Sequence, residues 1–355
     1  MSKTSPISRV RLRFQDERAF ANVNDPIEKD LSALARAGGS LFTCCDETAG
    51  VDRLTATGED WGNHQHFNLG AIFDLPGGPD GEMDIEGLDC DDGWLWIVGS
   101  QSLTRGKPDE DDTPQDALKA MARIKRDANR QFIGRVPLEQ DGAGLVPRTE
   151  TEAGPAAHVA FRKGGMLRRW LRKDVVLAPY LDLPSKENGL DIEGIAARGL
   201  RVWLGLRGPV FRGMAVVLEL EFKIKRKGGH LKARRIEGRR RYRKHLVDTG
   251  GQGIRDVKLD GDDLLLLTGP TMAGDGRADI LRWRRAVDAR ASGVVPADQV
   301  ETLLELPYRG HRDHPEGLVR WPEAARGGWL VVYDSPAEER LGEDKSVTGD
   351  IWRLG

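Results

Sequence analysis

The strongest constraint on the fold is a five-residue phrase that recurs along the chain, each copy followed by an apolar run. Three copies are close in sequence: DIEGL at 84–88, DIEGI at 191–195 and HPEGL at 314–318. Two looser copies lie at 30–34 and 253–257. The apolar runs lie at 41–45, 94–98, 202–206, 264–267 and 329–333. Such a repeat is typical of folds in which each unit is one supersecondary structure.

The spacing of the copies indicates what that unit is. They are separated by 54, 107, 62 and 61 residues. Three of these intervals are near the length of a four-stranded propeller blade, about 40–50 residues plus loops. We interpret the phrase as the first strand of each blade and the apolar run as the second. The sequence therefore predicts an all-β chain folded as a β-propeller of five blades, with six as the alternative.

The remaining strands can also be placed, and they indicate how the ring closes. Third strands are predicted at 52–56, 131–136, 215–220, 279–283 and 350–354. Fourth strands are predicted at 71–75, 179–183, 242–247 and 302–306. The last unit ends after its third strand, while residues 8–14 alternate apolar and charged side chains as a half-buried strand does. We expect this N-terminal strand to complete the last blade and leave no unpaired edge.

The long interval is interpreted as an insertion at 104–178 within a single domain that spans 1–355. Helical spacing of apolar residues at 114–125, and a shorter candidate at 166–173, predicts that the insertion is partly helical. Two placements stay open. The insertion covers one face of the ring, or it fills a wide gap between blades.

The phrase repeats a carboxylate at equivalent positions: Glu86, Glu193 and Glu316, with Asp84 and Asp191 two residues before two of them. First strands line the channel of a propeller, so these groups are expected to converge. Converging carboxylates resist ionisation unless a cation lies between them. We expect them to ligate one divalent cation, calcium, with magnesium or manganese as alternatives. The competing interpretation is that the aspartates form turns or cap backbone N–H groups.

Three further residues are predicted to act at the same channel mouth. Arg255 occupies the glutamate position in a fourth unit, and Arg207 ends a second strand. Both are expected to hold the anionic group of a small molecule. His314 opens the third strong copy and is a candidate base or metal ligand, the alternative being a solvated histidine.

The stretch 223–244 carries twelve lysines or arginines and one acid, Glu237. It joins a third strand to a fourth, which places it as a loop on the outer rim. Such a density of positive charge predicts docking of a polyanion or a protein. Its single aromatic residue, Tyr242, gives no platform for stacking bases. The alternative is a solvated loop that the acidic stretch 109–112 neutralises.

Composition sets broader expectations. Three cysteines, with Cys44 and Cys45 adjacent, cannot form a disulfide framework. No apolar run approaches the roughly 18 residues of a membrane span, and residues 1–14 lack the apolar core of a leader peptide. We therefore expect a cytoplasmic protein without a membrane partner, and a monomer because a closed ring needs no second chain.

Several motifs resemble known families. DIEGL at 84–88, PSKENG at 184–189 and RGP at 207–209 resemble a bacterial domain family of unknown function, from about residue 30 to the end. More loosely, the phrases resemble the esterase-like phytase and gluconolactonase-type propellers. In the latter the equivalent glutamate is a metal ligand, and the resemblance implies that role for Glu316, Glu86 or Glu193.

Two functional hypotheses follow. The first is a metal-dependent hydrolase, a phosphoesterase or an esterase or lactonase, that acts on a small phosphorylated or ester substrate at the channel mouth. The second is a non-catalytic binding propeller whose basic loop docks a polyanion or a protein partner. The sequence leaves open whether the chain is an enzyme.

Overall fold

Each copy of the repeated phrase overlaps the start of the innermost strand of a four-stranded antiparallel sheet. The computed structural model describes residues 5–21, 23–225, 229–272, 274–324 and 327–354. Within these residues the chain builds five such sheets in succession, as blades of a propeller. The predicted all-β, five-bladed architecture is confirmed.

The blades follow the chain, except that the first strand belongs to the last blade. This strand is β1 (Ser8–Arg13). Blade 1 contains β2 (Ala33–Ala37), β3 (Ser40–Cys44), β4 (Gly50–Thr57) and β5 (Asp60–Asn68). Blade 2 contains β6 (Ile85–Asp91), β7 (Trp94–Gly99), β10 (Ile133–Asp141) and β14 (Ala157–Val159), and β11 (Gly144–Pro147) also pairs with β10. Short hairpins are formed by β8 (Thr104–Arg105) with β9 (Ile124–Lys125) and by β12 (Glu150–Thr151) with β13 (Gly154–Pro155).

The strands of blades 3 to 5 also follow one another along the chain. Blade 3 contains β15 (Asp191–Arg198), β16 (Arg201–Phe211), β17 (Met214–Lys225) and β19 (Tyr242–Asp248), with β18 (His230–Ala233) paired to the end of β17. Blade 4 contains β20 (Gly253–Asp260), β21 (Asp263–Gly269), β22 (Asp279–Trp283) and β24 (Val300–Glu305). The two-residue β23 (Gly293–Val294) lies beside β19. Blade 5 contains β25 (His314–Trp321), β26 (Gly328–Asp334) and β28 (Ser346–Trp352). β28 also pairs with β1 and, near its start, with the short β27 (Leu341–Gly342).

Helices are short and lie between strands. The α-helices are α1 (Pro114–Ala122) and α2 (Met166–Leu171). Single 3-10 turns lie at Glu17–Phe20, Ile27–Lys29, Leu69–Ala71, Asn129–Gln131, Ala178–Tyr180, Ser185–Glu187, Ala286–Asp288, Ala297–Gln299 and Glu338–Arg340. None of the helices that the structure describes has the length and apolar character to cross a bilayer.

Closure of the ring follows the prediction. β1 pairs antiparallel with β28 over six residues, with Leu12 opposite Val347. Leu12 is fully buried and packs in one apolar cluster with residues of blades 1 and 5. The innermost strands also contact one another around the channel, in the order β2, β6, β15, β20, β25 and back to β2.

The glycine of the repeated phrase is required by this close packing. A Cβ atom on Gly194 would lie 2.7 Å from the backbone nitrogen of Val257 in the next blade. A Cβ on Gly87 would lie 2.9 Å from the backbone nitrogen of Ile195. Each phrase glycine therefore permits one inner strand to lie against the backbone of the next.

Two predicted fourth strands are wrong. Residues 71–75 and 179–183 are not strands. The first range begins at the end of the 3-10 turn Leu69–Ala71, and the second overlaps the 3-10 turn Ala178–Tyr180. Their apolar side chains Phe73 and Leu181 pack in the hydrophobic core. Blade 1 instead uses β5, and blade 2 uses β14. β5 is rich in histidine and other polar residues, and β14 has only three residues, so apolar content alone did not reveal them. Part of the basic stretch, predicted as a loop, is a hairpin of β17 and β18; its residues 226–228 lie outside the described residues.

Candidate functional site at the channel mouth

A β-bulge directs one side chain of each inner strand into the channel in four of the blades. In blade 2, Ile85 lies opposite Gly99 and Gly87 opposite Val98, which leaves Glu86 as the extra residue. The same shift leaves one extra residue in each of the next three blades: Glu193, Arg255 and Glu316. A bulge bends its strand and re-aims the bulged side chain. The four residues that are equivalent in the repeat therefore also have equivalent side-chain orientations.

These side chains line a cavity of about 520 Å³ at one mouth of the channel. All eight residues predicted for the site lie in its wall: Asp84, Glu86, Asp191, Glu193, Arg207, Arg255, His314 and Glu316. Among the described residues, ten carboxylates and six arginines or lysines line it. The cavity thus has an excess of negative charge.

Two arginines neutralise one side of the cavity. Arg207 lies with Nη2 2.9 Å from Asp191 Oδ2 and with Nη1 2.5 Å from Glu193 Oε1. Arg255 Nη1 lies 2.7 Å from Glu193 Oε2 and 2.8 Å from Glu316 Oε1. Burial acts to lower the pKa of Arg207, but the adjacent Glu193 and Asp191 outweigh it and hold that pKa above its usual range. Both arginines are therefore charged, and three of the predicted metal ligands are engaged by guanidinium groups.

The other side of the cavity is not balanced in this way. Oxygen atoms of Asp46, Asp84 and Glu86 lie within 4.8 Å of one another. Glu86 has no hydrogen bond and no ion pair with a cationic side chain in the described part of the chain. Burial raises the pKa of Glu86 well above its usual range, and repulsion by Glu193 and Asp84 adds to the rise. Burial also raises the pKa of Asp46. These carboxyls require a proton or a bound cation.

Few groups compensate this acidic cluster of Asp46, Asp84 and Glu86. Arg130 Nη1 lies 2.8 Å from Asp84 Oδ2, to which the Ser102 hydroxyl also donates at 3.2 Å. Behind the cluster, the Cys45 thiol donates to Asp30 Oδ2 at 2.9 Å. Burial raises the pKa of that thiol, so Cys45 is a hydrogen-bond donor here. An all-oxygen set with a deficit of positive charge fits a hard divalent cation.

His314 lies at the edge of the cavity between two carboxylates. Its Nε2 is 3.5 Å from Asp275 Oδ1, and its Nδ1 is 3.7 Å from Asp334 Oδ2. The Asp334 carboxylate is the main cause that raises the pKa of His314 above its ordinary 6.5. The imidazole therefore keeps its proton to a higher pH than a free histidine does. Lys186 lines the cavity with an exposed side chain and has no ion pair in the described part of the chain.

A buried charge crosses the channel beneath the cavity. Lys258 of blade 4 donates to the backbone oxygen of Leu88 in blade 2 at 2.7 Å and to Asp256 Oδ1 at 2.8 Å. Asp256 in turn accepts from the backbone nitrogen of Leu318 in blade 5 at 2.8 Å. Burial raises the pKa of Asp256 to about 6, while Lys258 opposes the rise. These contacts join three inner strands across the channel axis.

Sequence reasoning missed Asp46 and Arg130 as members of the site. Asp46 lies two residues after the end of β3, and the tips of second strands meet the first-strand starts at the same mouth, so its position was a usable signal. Arg130 lies in a 3-10 turn before β10, in the long interval, and no periodic pattern marks it. Its contact with Asp84 depends on how that interval folds back to the ring.

The chain matches one family model, and several solved structures are similar to it. Residues 30–350 match the model of a family described as "Protein of unknown function (DUF3616)". None of the curated proteins matches the chain. Among solved structures, the Malassezia sympodialis allergen Mala s 1 is similar, with 7% identity, a TM-score of 0.43, and 97% of this chain and 95% of that one covered.

Two further solved structures are also similar to the chain. A GH43 β-1,3-galactosidase solved with galactodeoxynojirimycin shares 10% identity with a TM-score of 0.41, covering 99% of this chain and 94% of the other. Kuenenia stuttgartiensis hydrazine synthase shares 9% identity with a TM-score of 0.33, covering 88% of this chain. The match spans 58% of that hydrazine synthase chain.

Proposed function

The chain belongs to the DUF3616 family of proteins of unknown function, and we propose that its channel mouth is the active site of a divalent-cation-dependent hydrolase. The substrate is a small phosphorylated or ester molecule. The acidic cluster supports this assignment, because Glu86 is in a cavity with an excess of carboxylates and has no cationic partner of its own among the described residues.

Asp46, Asp84 and Glu86 would hold the cation. Their oxygens approach one another closely, and the two arginines that neutralise the rest of the ring do not reach them. When bound, the cation would polarise a phosphoryl or ester oxygen and lower the pKa of a coordinated water. Calcium is the expected ion because the donors are all carboxylate oxygens, and magnesium and manganese accept the same donors.

Arg255 is the residue that holds the anionic group of the substrate. Its Nη1 is engaged by Glu193 and Glu316, whereas its Nε and Nη2 donate no hydrogen bond in the described part of the chain. Those donors suit a phosphate or carboxylate oxygen. Arg207 has both terminal nitrogens committed to Asp191 and Glu193, so it acts as a positioning residue that fixes the orientation of Glu193.

His314 supplies the proton. Its raised pKa keeps the proton on the imidazole to a higher pH than in a free histidine, and the side chain lies at the edge of the same cavity. A protonated imidazole within reach of the leaving oxygen acts as a general acid. Loss of that proton at higher pH removes the donor.

Isothermal titration calorimetry of the chelator-treated protein with calcium, magnesium and manganese tests the cation site. We expect Asp46→Asn and Glu86→Gln to abolish binding of the preferred ion. Glu47→Gln is the matched control, because Glu47 is the neighbour of Asp46 but its carboxylate accepts from the Asn24 side chain at 3.0 Å. A phosphatase and lactonase screen with the preferred ion follows. Equal binding in all variants, or no binding by the wild type, would overturn the assignment.

A further inference from the structure

The hairpin of β17 and β18 has one apolar face and one basic face. Lys223 lies opposite Lys232, and Lys225 lies opposite His230. Directly opposite residues of an antiparallel pair share a face, as do alternate residues of one strand. The three lysines therefore form one basic face. Phe222, which precedes Lys223, is buried on the other face and stacks on Trp96, with ring centroids 5.9 Å apart.

The basic residues that the structure describes within the stretch 223–244 fall into two groups. Some stabilise the fold: Arg243 lies 2.6 Å from Glu219, and Arg234 lies 3.2 Å from Glu221. The others are exposed and have no ion pair within the described residues: Lys223, Lys225, Lys232, Arg235 and Arg239. Lys223 and Lys232 lie directly opposite one another, and like charges so placed disfavour strand pairing, so this pair does not stabilise the hairpin.

Neighbouring chain extends the same basic face. β14 of blade 2 pairs in parallel with β18, with His158 opposite His230. Arg162 and Lys163 lie three and four residues after β14, and both are exposed and without an ion pair in the described part of the chain. The free cations thus lie on the outer rim between blades 2 and 3, away from the channel mouth.

We propose that this basic face docks the phosphate backbone of double-stranded nucleic acid without reading its sequence. Clustered free cations are the electrostatic signature of phosphate binding. A single strand is disfavoured because Tyr242, the aromatic residue of the stretch, is buried and donates its hydroxyl to Asp174 at 2.7 Å. A lipid surface is disfavoured because Ile224 alone offers an exposed large apolar side chain on the described part of the hairpin. This inference does not depend on the hydrolase.

Fluorescence anisotropy of the full-length protein with short labelled duplexes of DNA and of RNA, over a series of salt concentrations, tests the proposal. We expect binding to weaken linearly on a logarithmic salt scale. The triple variant Lys223→Gln, Lys225→Gln, Lys232→Gln should bind at least tenfold more weakly, and the salt slope should fall by about 2.7 because three fewer phosphates are neutralised. Equal weakening on both duplexes indicates pure backbone recognition, and stronger binding of RNA assigns the RNA duplex as the partner; both support the proposal.

A matched control removes three exposed lysines elsewhere, with Lys29→Gln, Lys107→Gln and Lys125→Gln combined. These lysines also have no ion pair in the described part of the chain, so the change in net charge is the same. Unchanged affinity and slope in the hairpin variant, or equal weakening in the control, would overturn the proposal. Stronger binding to a single strand, or binding to phosphatidylserine vesicles but not to either duplex, would overturn it as well.

Discussion

Arg255 Nη1 lies 2.7 Å from Glu193 Oε2, although the two residues occupy the same bulged position of adjacent blades. The repeat therefore carries a reversal of charge at one of its equivalent positions. This reversal neutralises the side of the channel mouth formed by blades 3 to 5. It leaves Glu86, at the same position of blade 2, without a cationic partner among the described residues, and so concentrates the unbalanced charge where Asp46 and Asp84 also lie.

Replacing Arg255 by Met should strongly destabilise the protein. The substitution leaves Glu193 with one cation and Glu316 with none at a buried position. Breaking a buried pair in this way costs about 3–5 kcal/mol of unfolding free energy. Urea unfolding measures it, and Arg148→Met is the control, because the side chains of the Arg148–Glu139 pair are 43% and 53% exposed and its loss should cost less than about 1 kcal/mol. Equal destabilisation of the two variants would refute the network's role.

Glu86→Gln and Glu193→Gln should have opposite effects on the chelator-treated protein. Glu86 repels its neighbours without a partner, so its amide should leave stability unchanged or raise it by about 1 kcal/mol. Glu193 joins two arginines, so Glu193→Gln should lower stability by about 3 kcal/mol. Chemical unfolding of both variants measures the difference. Comparable destabilisation by Glu86→Gln would mean that Glu86 has a structural partner.

Gly194→Ala should destabilise the ring even though it adds one methyl group. That methyl carbon would lie 2.7 Å from the backbone nitrogen of Val257, which cannot rotate away. We expect a loss of about 1–3 kcal/mol from overpacking. Gly293→Ala is the control, because no atom of the described residues lies within 4 Å of its added carbon. Thermal unfolding compares the two, and a wild-type melting temperature for Gly194→Ala would refute the packing role of the phrase glycine.

Stability without the cation should fall as pH rises. Burial raises the pKa of Glu86 above its ordinary 4.5, so the folded state retains a proton that the unfolded chain releases above that pH. Stability from this group is complete below pH 4.5 and is lost as pH rises towards the folded-state pKa. Relative to Glu86→Gln, the wild type should therefore become progressively less stable above pH 4.5. Parallel pH profiles of the two proteins would show that Glu86 ionises normally.

The sequence was sufficient for the order of the blades because the phrase and its apolar run are local patterns. It also identified β1 as the closing strand, since the alternation of residues 8–14 is typical of a half-buried strand. Polar outer strands such as β5 gave no such signal, because their stability comes from pairing with β4 rather than from apolar content. The register shift that exposes Glu86, Glu193, Arg255 and Glu316 to the channel is a property of paired strands, which one strand's sequence does not contain.

The proposed cation site at Asp46, Asp84 and Glu86 is tested most directly by thermal unfolding after treatment with a chelator, repeated with calcium, magnesium and manganese added back. A ligand that binds only the folded state stabilises it by about 2.7 kcal/mol at a hundredfold excess over its dissociation constant. We predict an ion-selective rise in melting temperature for the wild type and for Glu47→Gln, and no rise for Glu86→Gln. The absence of a rise with every ion, or an equal rise in Glu86→Gln, would contradict the account.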